Sequence, residues 1–222
     1  MKKEELRRGL YVPQLESDAC GIGMIANLEK EYSHQLVSDA LTMLENMEHR
    51  GACGCDPESG DGAGILIHVP HSLFVSESLS FDLPEEGKYA VGSFFFPKGE
   101  HRDDIYKIIG DAADDLGVKL LGRRKLPVIS SILGEASCAS EPDIYHLFFV
   151  PKGDQEVDDV FERKLLILRK YLTHKVVAAY PEYKHDLYVP SLSTKTIIYK
   201  GCLLYTSPSP RDRTRSRMPS SA

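Results

Sequence analysis

A cysteine followed by closely spaced glycines is the feature of this sequence best suited to chemistry. Cys20 precedes Gly21, Ile22 and Gly23, and a short apolar run continues to Asn27. This pattern predicts a buried strand that carries the cysteine at its start. Because the two glycines have no Cβ, other backbone or a substrate could approach the cysteine closely.

Cys20 would gain a second reactive group if the chain were cut before it. The free α-amine of an N-terminal residue has a pKa of about 7.7–8.0, so it can act as a general base at neutral pH. A nucleophile paired with such an amine is an established activation scheme. We therefore expect an N-terminal-nucleophile amidohydrolase formed by removal of residues 1–19. The alternative is that Cys20 is only a small buried hydrophobic residue.

Composition indicates an ordinary globular protein with an acidic surface. The chain has 222 residues, of which 42% are hydrophobic and 27% charged, and its formal net charge is −6. The charge does not favour nucleic acid as a partner, and no apolar run is long enough for a membrane span. Residues 1–19 lack the apolar segment of a signal peptide. The five irregularly spaced cysteines favour a reducing cytoplasm.

The last residues of the chain differ in composition from the rest. Residues 202–222 are rich in Ser, Pro and Arg and resemble the translation of a transposon-end sequencing adapter. A disordered basic tail is the alternative. We expect residues 1–19 to be a propeptide, residues 20–201 to be the N-terminal part of one domain, and residues 202–222 to be non-native.

The elements that would position Cys20 follow from the hydrophobic periodicity. Residues 33–48 predict a helix with Ser33 as its N-cap. A glycine-rich loop over 52–64 then leads into an apolar strand over 65–70. We expect this loop to fold back over the start of the first strand, where Cys20 lies.

The second half of the chain twice shows the order strand, helix, strand. The predicted elements are a strand over 89–96, a helix over 103–116 and a strand over 118–121, then a strand over 144–151, a helix over 156–177 and strands over 187–192 and 196–201. Such a mixture of strands and helices predicts an α+β fold.

Three further motifs have both a chemical and a structural interpretation. Arg50 follows the predicted helix, where its guanidinium would either stabilise a thiolate at Cys20 or interact with the helix C-terminus. The glycines of 60–64 lack the ending of a phosphate loop and predict a tight turn beside the nucleophile. Cys53 and Cys55 form a pair without the second pair that structural zinc requires, so we expect no metal.

Two long stretches together resemble a known family. CGIGMIANLEKEYSHQLVSDALTMLENMEHRGACGCDPESGDGAGILIHVP (20–70) and HDLYVPSLSTKTIIYKG (185–201) are similar to the N-terminal class II glutamine amidotransferase domain of the glutamate synthase large (alpha) chain. The GDGAG and SLSTKTIIYKG runs favour glutamate synthase over other class II amidotransferases.

The resemblance implies a fold and a reaction. The fold is the four-layer αββα sandwich of the N-terminal-nucleophile hydrolases, here incomplete at the C-terminus. Cys20 would form a γ-glutamyl thioester with L-glutamine and release ammonia, and Gly21 and Arg50 would support the nucleophile or the substrate site. The family's Phe-Ser-Thr-Asn and His-Asn-Gly segments do not occur in residues 1–201, so we expect the chain as given to be inactive.

The resemblance also implies partners that lie outside this sequence. A synthase domain of the same full-length chain would use the ammonia to convert 2-oxoglutarate to glutamate with FMN and an iron–sulfur cluster, and no cofactor is expected in the present chain. A small subunit could deliver the electrons, and the donor, whether NADPH, NADH or ferredoxin, stays open. The alternative function is a stand-alone binding or regulatory domain with an inert Cys20.

Overall fold

The structure is a computed structural model. It describes residues 21–29, 31–47, 62–99, 101–153, 155–184 and 186–202. Cys20, Arg50, the pair formed by Cys53 and Cys55, and the predicted propeptide lie outside the described residues.

Five α-helices and six strands are present in the described residues. The helices are α1 (His34–Asn46), α2 (His71–Ser76), α3 (Arg102–Asp115), α4 (Glu135–Ser140) and α5 (Asp159–Ala179). The strands are β1 (Gly62–His68), β2 (Ala90–Phe96), β3 (Val118–Lys125), β4 (Asp143–Pro151), β5 (Tyr188–Ser193) and β6 (Thr196–Cys202). Short 3₁₀ turns occur at Ser130–Ile132 and Pro181–Lys184.

The two strand–helix–strand units interleave in one antiparallel sheet. The strand order is β3-β4-β2-β5, and every neighbouring pair is antiparallel. The two units are β2–α3–β3 and β4–α5–β5. In each unit the two strands are parallel, and one strand of the other unit lies between them. This arrangement confirms the predicted mixture of strands and helices, and the structure adds that the neighbouring strands are antiparallel.

Helices α3 and α5 cover one face of the four-stranded sheet. Every third or fourth residue of these helices is buried, as the periodicity predicts. The buried residues are Ile105, Ile109, Ala112 and Ala113 of α3 and Phe161, Leu165, Leu168, Leu172 and Val176 of α5. They pack on Phe94, Leu147 and Phe149 of the sheet. Fully burying one such Leu, Ile or Phe side chain contributes ~1.5–3 kcal/mol, so this face supplies most of the core.

The opposite face of the four-stranded sheet packs against a second, smaller sheet. Strands β1 and β6 pair antiparallel from Gly62↔Cys202 to His68↔Thr196. Ile197 of β6 joins Val91 and Phe148 of the four-stranded sheet in a second apolar cluster. Two antiparallel sheets therefore stack face to face, with α3 and α5 on one outer side. The four-layer arrangement stays a prediction, since no residue of α1 is fully buried.

Helix α1 confirms the helix predicted over 33–48. Ser33 is the N-cap, with extended backbone, and its Oγ accepts a hydrogen bond from the Gln35 N–H at 3.1 Å. A serine in this position satisfies one of the free N–H groups of the first helical turn, typically stabilising the helix by ~1 kcal/mol.

The strand predicted for residues 20–27 is wrong in its described part. Residues 21–27 have no strand structure, and the side chains of Ile22 and Met24 are 98% and 90% exposed. A strand needs a neighbouring strand edge to satisfy its backbone groups. Among the described residues, β1 and β6 pair only with each other, so segment 21–27 has no such partner.

The tight turn predicted for residues 60–64 is also wrong where it is described. Gly62 and Gly64 belong to β1, which begins before the predicted first strand residue, Ile65. The reason is non-local, because β6 supplies ladder partners for both glycines, Cys202 and Lys200. A Cβ on Gly64 would lie 3.2 Å from the Tyr199 carbonyl oxygen, so the glycine permits the close approach of β6.

Candidate functional site

Only one of the three predicted site residues lies within the described structure. Gly21 is exposed and lies against Met47, which follows the last residue of α1. A Cβ on Gly21 would be 2.8 Å from the Met47 Sδ, so the contact depends on glycine. Gly21 directly follows Cys20 in the chain, and Met47 precedes Arg50 by three positions. The described residues nearest to the predicted nucleophile and to the predicted arginine are therefore in contact.

A histidine–tyrosine pair joins the segment before α1 to the end of β1. His68 Nδ1 lies 3.1 Å from the Val69 carbonyl oxygen, which can only accept, so Nδ1 carries the proton. The Tyr32 hydroxyl then donates to His68 Nε2 at 3.3 Å, and the two rings lie 4.6 Å apart. This pair holds residues 31–33 beside the small sheet and so helps to fix the position of α1.

The SLSTKT run is anchored to α5 by a carboxylate. Glu162 Oε1 accepts a hydrogen bond from the Ser193 hydroxyl at 2.5 Å. Its Oε2 accepts from the Thr194 backbone N–H at 3.0 Å and from the Thr194 hydroxyl at 2.7 Å. Ser193 Oγ also accepts from the backbone N–H of Lys195, closing the turn between β5 and β6. Glu162 therefore fixes the connection between the two sheets, a role that the sequence analysis did not assign.

A polar cluster lies between the two sheets and was also missed from the sequence. The inter-sheet polar cluster consists of Glu77, Arg124, His146 and Tyr199. Arg124 donates to Glu77 Oε1 at 2.5 Å, and the rings of His146 and Tyr199 meet edge to face with centroids 5.3 Å apart. His146 interrupts the apolar run of β4, and a histidine within a core strand was the available sequence signal.

Burial affects the members of this cluster differently, because His146 is fully buried and Glu77 is exposed. Burial, together with the positive charge of Arg124, lowers the pKa of His146 to about 3, although Glu77 opposes the shift. His146 is therefore a neutral imidazole at neutral pH. The hydrogen bond from Arg124 lowers the pKa of Glu77, and burial raises the pKa of the Tyr199 hydroxyl.

The described part of the chain does not present a set of residues that fits a metal or cluster. No group of three or more His, Cys, Asp or Glu side chains lies close enough there to hold a metal ion. Cys138, the one cysteine whose side chain is described, is half-buried, with its Sγ 3.5 Å from the Ser130 carbonyl oxygen. Cys53 and Cys55 lie outside the described residues.

Among the described helices, none combines the length and the apolar character that crossing a membrane would require.

Comparison with known proteins defines the class of this chain. The family model of the class-II glutamine amidotransferases matches residues 20–208, and the chain belongs to that family of enzymes. The match begins at Cys20 and extends past the predicted domain boundary at residue 201. Cys202, the first residue of the predicted tail, is paired in β6.

Three similar relatives are named as glutamate synthases. The chain is 42% identical over 205 residues to "Glutamate synthase [NADH]" of Saccharomyces cerevisiae, covering 89% of this chain and 10% of the relative. It is 39% identical over 197 residues to "Glutamate synthase [NADPH] large chain" of Bacillus subtilis, covering 88% and 13%. It is 40% identical over 194 residues to "Ferredoxin-dependent glutamate synthase 2, chloroplastic" of Arabidopsis thaliana, covering 85% and 12%. The chain thus spans about a tenth of the length of these relatives.

Proposed function

We propose that this chain is the glutaminase part of a glutamate synthase and converts L-glutamine to glutamate and ammonia. The observation that carries the proposal is the family match, which starts at Cys20, the residue with the free amine and thiol in the proposed mature protein. The alternative of a non-catalytic binding domain is not favoured, because the relatives are named as synthases.

The proposed mechanism uses both reactive groups of Cys20. The α-amine accepts the thiol proton, and the thiolate attacks the carboxamide carbon of the glutamine side chain. Collapse of the adduct breaks the C–N bond, and the amine returns the proton to the leaving ammonia. Water then hydrolyses the γ-glutamyl thioester and frees glutamate and the thiol.

Gly21 and Arg50 are proposed to support this site. The contact between Gly21 and Met47 supports the proposal, because it joins the chain segments that lead to Cys20 and to Arg50. A larger residue at Gly21 would displace Met47. Arg50 would supply a positive charge that favours the thiolate over the thiol.

The remaining steps would occur in other parts of a longer protein. Ammonia would pass to a synthase domain of the same chain, which converts 2-oxoglutarate to glutamate with FMN and an iron–sulfur cluster. We assign both cofactors to that other domain, as the resemblance to glutamate synthase implies. We propose a cytoplasmic enzyme with an αββα sandwich. Its electron donor stays open, since the names of the relatives include NADH, NADPH and ferredoxin.

The test is a cysteine substitution in the full-length gene product, with a matched control. Cys20→Ala should reduce glutamine-dependent glutamate synthesis by at least 10³-fold, because covalent catalysis is lost. Synthesis from added ammonia should stay within about twofold of the unmodified enzyme, because the synthase domain does not use Cys20. Cys138→Ala, at the half-buried cysteine of α4, should leave both activities unchanged.

Measuring both glutamine-dependent and ammonia-dependent synthesis distinguishes the possible roles of Cys20. Loss of both in Cys20→Ala would mean that Cys20 stabilises the fold instead of acting as the nucleophile. Retention of glutamine-dependent synthesis would contradict the proposed mechanism directly. Binding of glutamine without turnover by the unmodified protein would instead support the binding-domain alternative.

A further inference from the structure

The boundary between the two sheets contains polar atoms that have no hydrogen-bond partner in the described part of the chain. Five buried side-chain nitrogen or oxygen atoms lack a hydrogen-bond partner among the described residues. Four of them belong to the inter-sheet polar cluster: Arg124 Nε, His146 Nδ1, His146 Nε2 and the Tyr199 hydroxyl. Buried polar groups are normally paired, so their concentration at one interface marks it as a weak point of the fold.

His146 lies at the centre of this interface and is fully buried. On its own sheet it is paired with Arg124 of β3 and Ser93 of β2. From the other side, Tyr199 of β6 covers its ring, and Phe74 of α2 contacts it edge to face at 5.6 Å. Neither ring nitrogen of His146 has a hydrogen-bond partner among the described residues, so a second proton on the ring has no described acceptor.

The charges that face His146 oppose a second positive charge. Arg124 is mostly buried, and its charge is already balanced by the carboxylate of Glu77. Tyr199 is neutral, and Ser93 and Phe74 carry no charge. An imidazolium at His146 would thus add an unbalanced cation to a closed space, where charge is strongly disfavoured.

The small sheet is the element best able to move in response. Its described part has two strands, against four in the large sheet, and two paired strands have little stability of their own. The turn between β5 and β6 is held by Glu162 and would keep the small sheet attached at one end. Movement of β6 away from β4 would admit water to His146, Tyr199 and Arg124 together.

We propose that protonation of His146 opens the interface between the two sheets and releases the β1–β6 sheet, while the four-stranded sheet with α3 and α5 stays folded. In the open form, the apolar cluster that includes Phe148 and Ile197 is exposed. This inference is independent of the proposed enzymatic activity.

The direction in which pH changes the opening equilibrium follows from the pKa of His146 in the closed and open states. His146 has a pKa of about 3 in the closed state and the ordinary value of about 6.5 once water reaches it. The closed state therefore binds fewer protons, so its stability is complete above pH 6.5 and is lost as the pH falls from 6.5 toward 3. The equilibrium constant for opening should rise about 30-fold between pH 7.5 and pH 5.0. Carboxylates with ordinary pKa values stay mostly ionised over this range.

Hydrogen–deuterium exchange of the full chain tests the inference, with intrinsic exchange rates corrected for pH. Peptides that cover β1 and β6 should lose about 30-fold in protection between pH 7.5 and 5.0, because they exchange through the open state. Peptides that cover β2 and β4 should keep their protection. Tyr199→Phe removes one unpaired hydroxyl without a titrating group in this range, so it should raise protection at both pH values and keep the 30-fold ratio.

Substitution of His146 identifies the titrating group. His146→Phe keeps an aromatic ring and removes the titration, so β1 and β6 should then have the same protection at both pH values. His174→Gln, at an exposed histidine of α5, should behave as the unmodified chain does. The inference fails if the unmodified chain shows no such loss, if both sheets lose protection together, or if His146→Phe retains the pH dependence.

Discussion

Two glycines beside the predicted nucleophile have a definite structural use. Gly21 lies against the side chain of Met47, the C-cap of α1, and Gly23 lies against Met43 of α1, in space that a Cβ would occupy. The sequence predicts that these glycines admit backbone or substrate, but in the structure they lie against methionine side chains. Tyr32 and His68 add a hydrogen bond between the segment that leads into α1 and β1. At the scale of single residues, the segment after Cys20 is thus held against α1 without a strand partner.

Processing before Cys20 gives a prediction at the same scale. The proposed amine base exists only if residues 1–19 are removed, because an amide nitrogen within the chain cannot accept the thiol proton. Intact-mass spectrometry of the active full-length gene product should therefore find Cys20 at the N-terminus. Active enzyme that still carried Met1 would contradict the amine-base mechanism and leave the nucleophile without its proposed base.

At the scale of elements, one glutamate of α5 determines how the two sheets are connected. Glu162 accepts three hydrogen bonds from Ser193 and Thr194, at the point where the chain leaves the large sheet for the small one. Nearby, Lys195 Nζ and Asp159 Oδ1 lie 2.9 Å apart, but both side chains are mostly exposed. Hydrogen bonds to a part-buried carboxylate stabilise a protein more than an exposed ion pair does.

Paired substitutions in the first turn of α5 test this difference. Glu162→Gln should lower the free energy of unfolding by ~1–3 kcal/mol, because an amide cannot accept all three hydrogen bonds and leaves donors unpaired. Asp159→Asn should lower it by less than ~1 kcal/mol, since it removes only an exposed pair. Urea denaturation of the two variants measures both values. Equal effects would mean that the hydrogen bonds of Glu162 contribute no more than surface charge does.

At the scale of the whole molecule, the two faces of the large sheet differ in polarity. The face under α3 and α5 is a continuous apolar core that includes Phe94, Leu147 and Phe149. The opposite face combines a smaller apolar cluster with the inter-sheet polar cluster, whose buried polar atoms have few hydrogen-bond partners among the residues that the structure describes. The stability of the four-stranded unit should therefore depend on the first face, and the attachment of the small sheet on the second.

Two glycine-to-alanine substitutions measure how tightly the first face is packed. A Cβ on Gly92 would lie 2.5 Å from Phe94 Cε2 and 3.1 Å from the Ser191 carbonyl oxygen, so Gly92→Ala should destabilise the fold by ~1–3 kcal/mol. A Cβ on Gly110 of α3 would make an ordinary 3.7 Å contact with Leu120. Gly110→Ala should therefore stabilise the fold by ~0.5–1 kcal/mol through helix propensity. Thermal unfolding of the two variants measures whether each substitution raises or lowers the stability. Destabilisation by both variants would contradict the packing difference.

The sequence by itself determined the local elements and the family. Helices over 33–48, 103–116 and 156–177 were predicted to within three residues at each end, because apolar spacing and capping residues are properties of neighbouring positions. The resemblance carried by residues 20–70 and 185–201 agrees with the family match. The roles of Cys20 and Arg50 stay predictions, as both residues lie outside the described structure.

The tertiary structure alone decided which strands pair and what the polar residues between the sheets do. That Gly62 and Gly64 are strand residues depends on β6, which lies more than a hundred positions later in the chain. That segment 21–27 is not a strand depends on the lack of a neighbouring edge in the described structure. The neutral state of His146 likewise depends on burial beneath Tyr199 and on the charge of Arg124. Strand pairing and burial depend on residues that are distant in sequence, so local sequence patterns do not predict them directly.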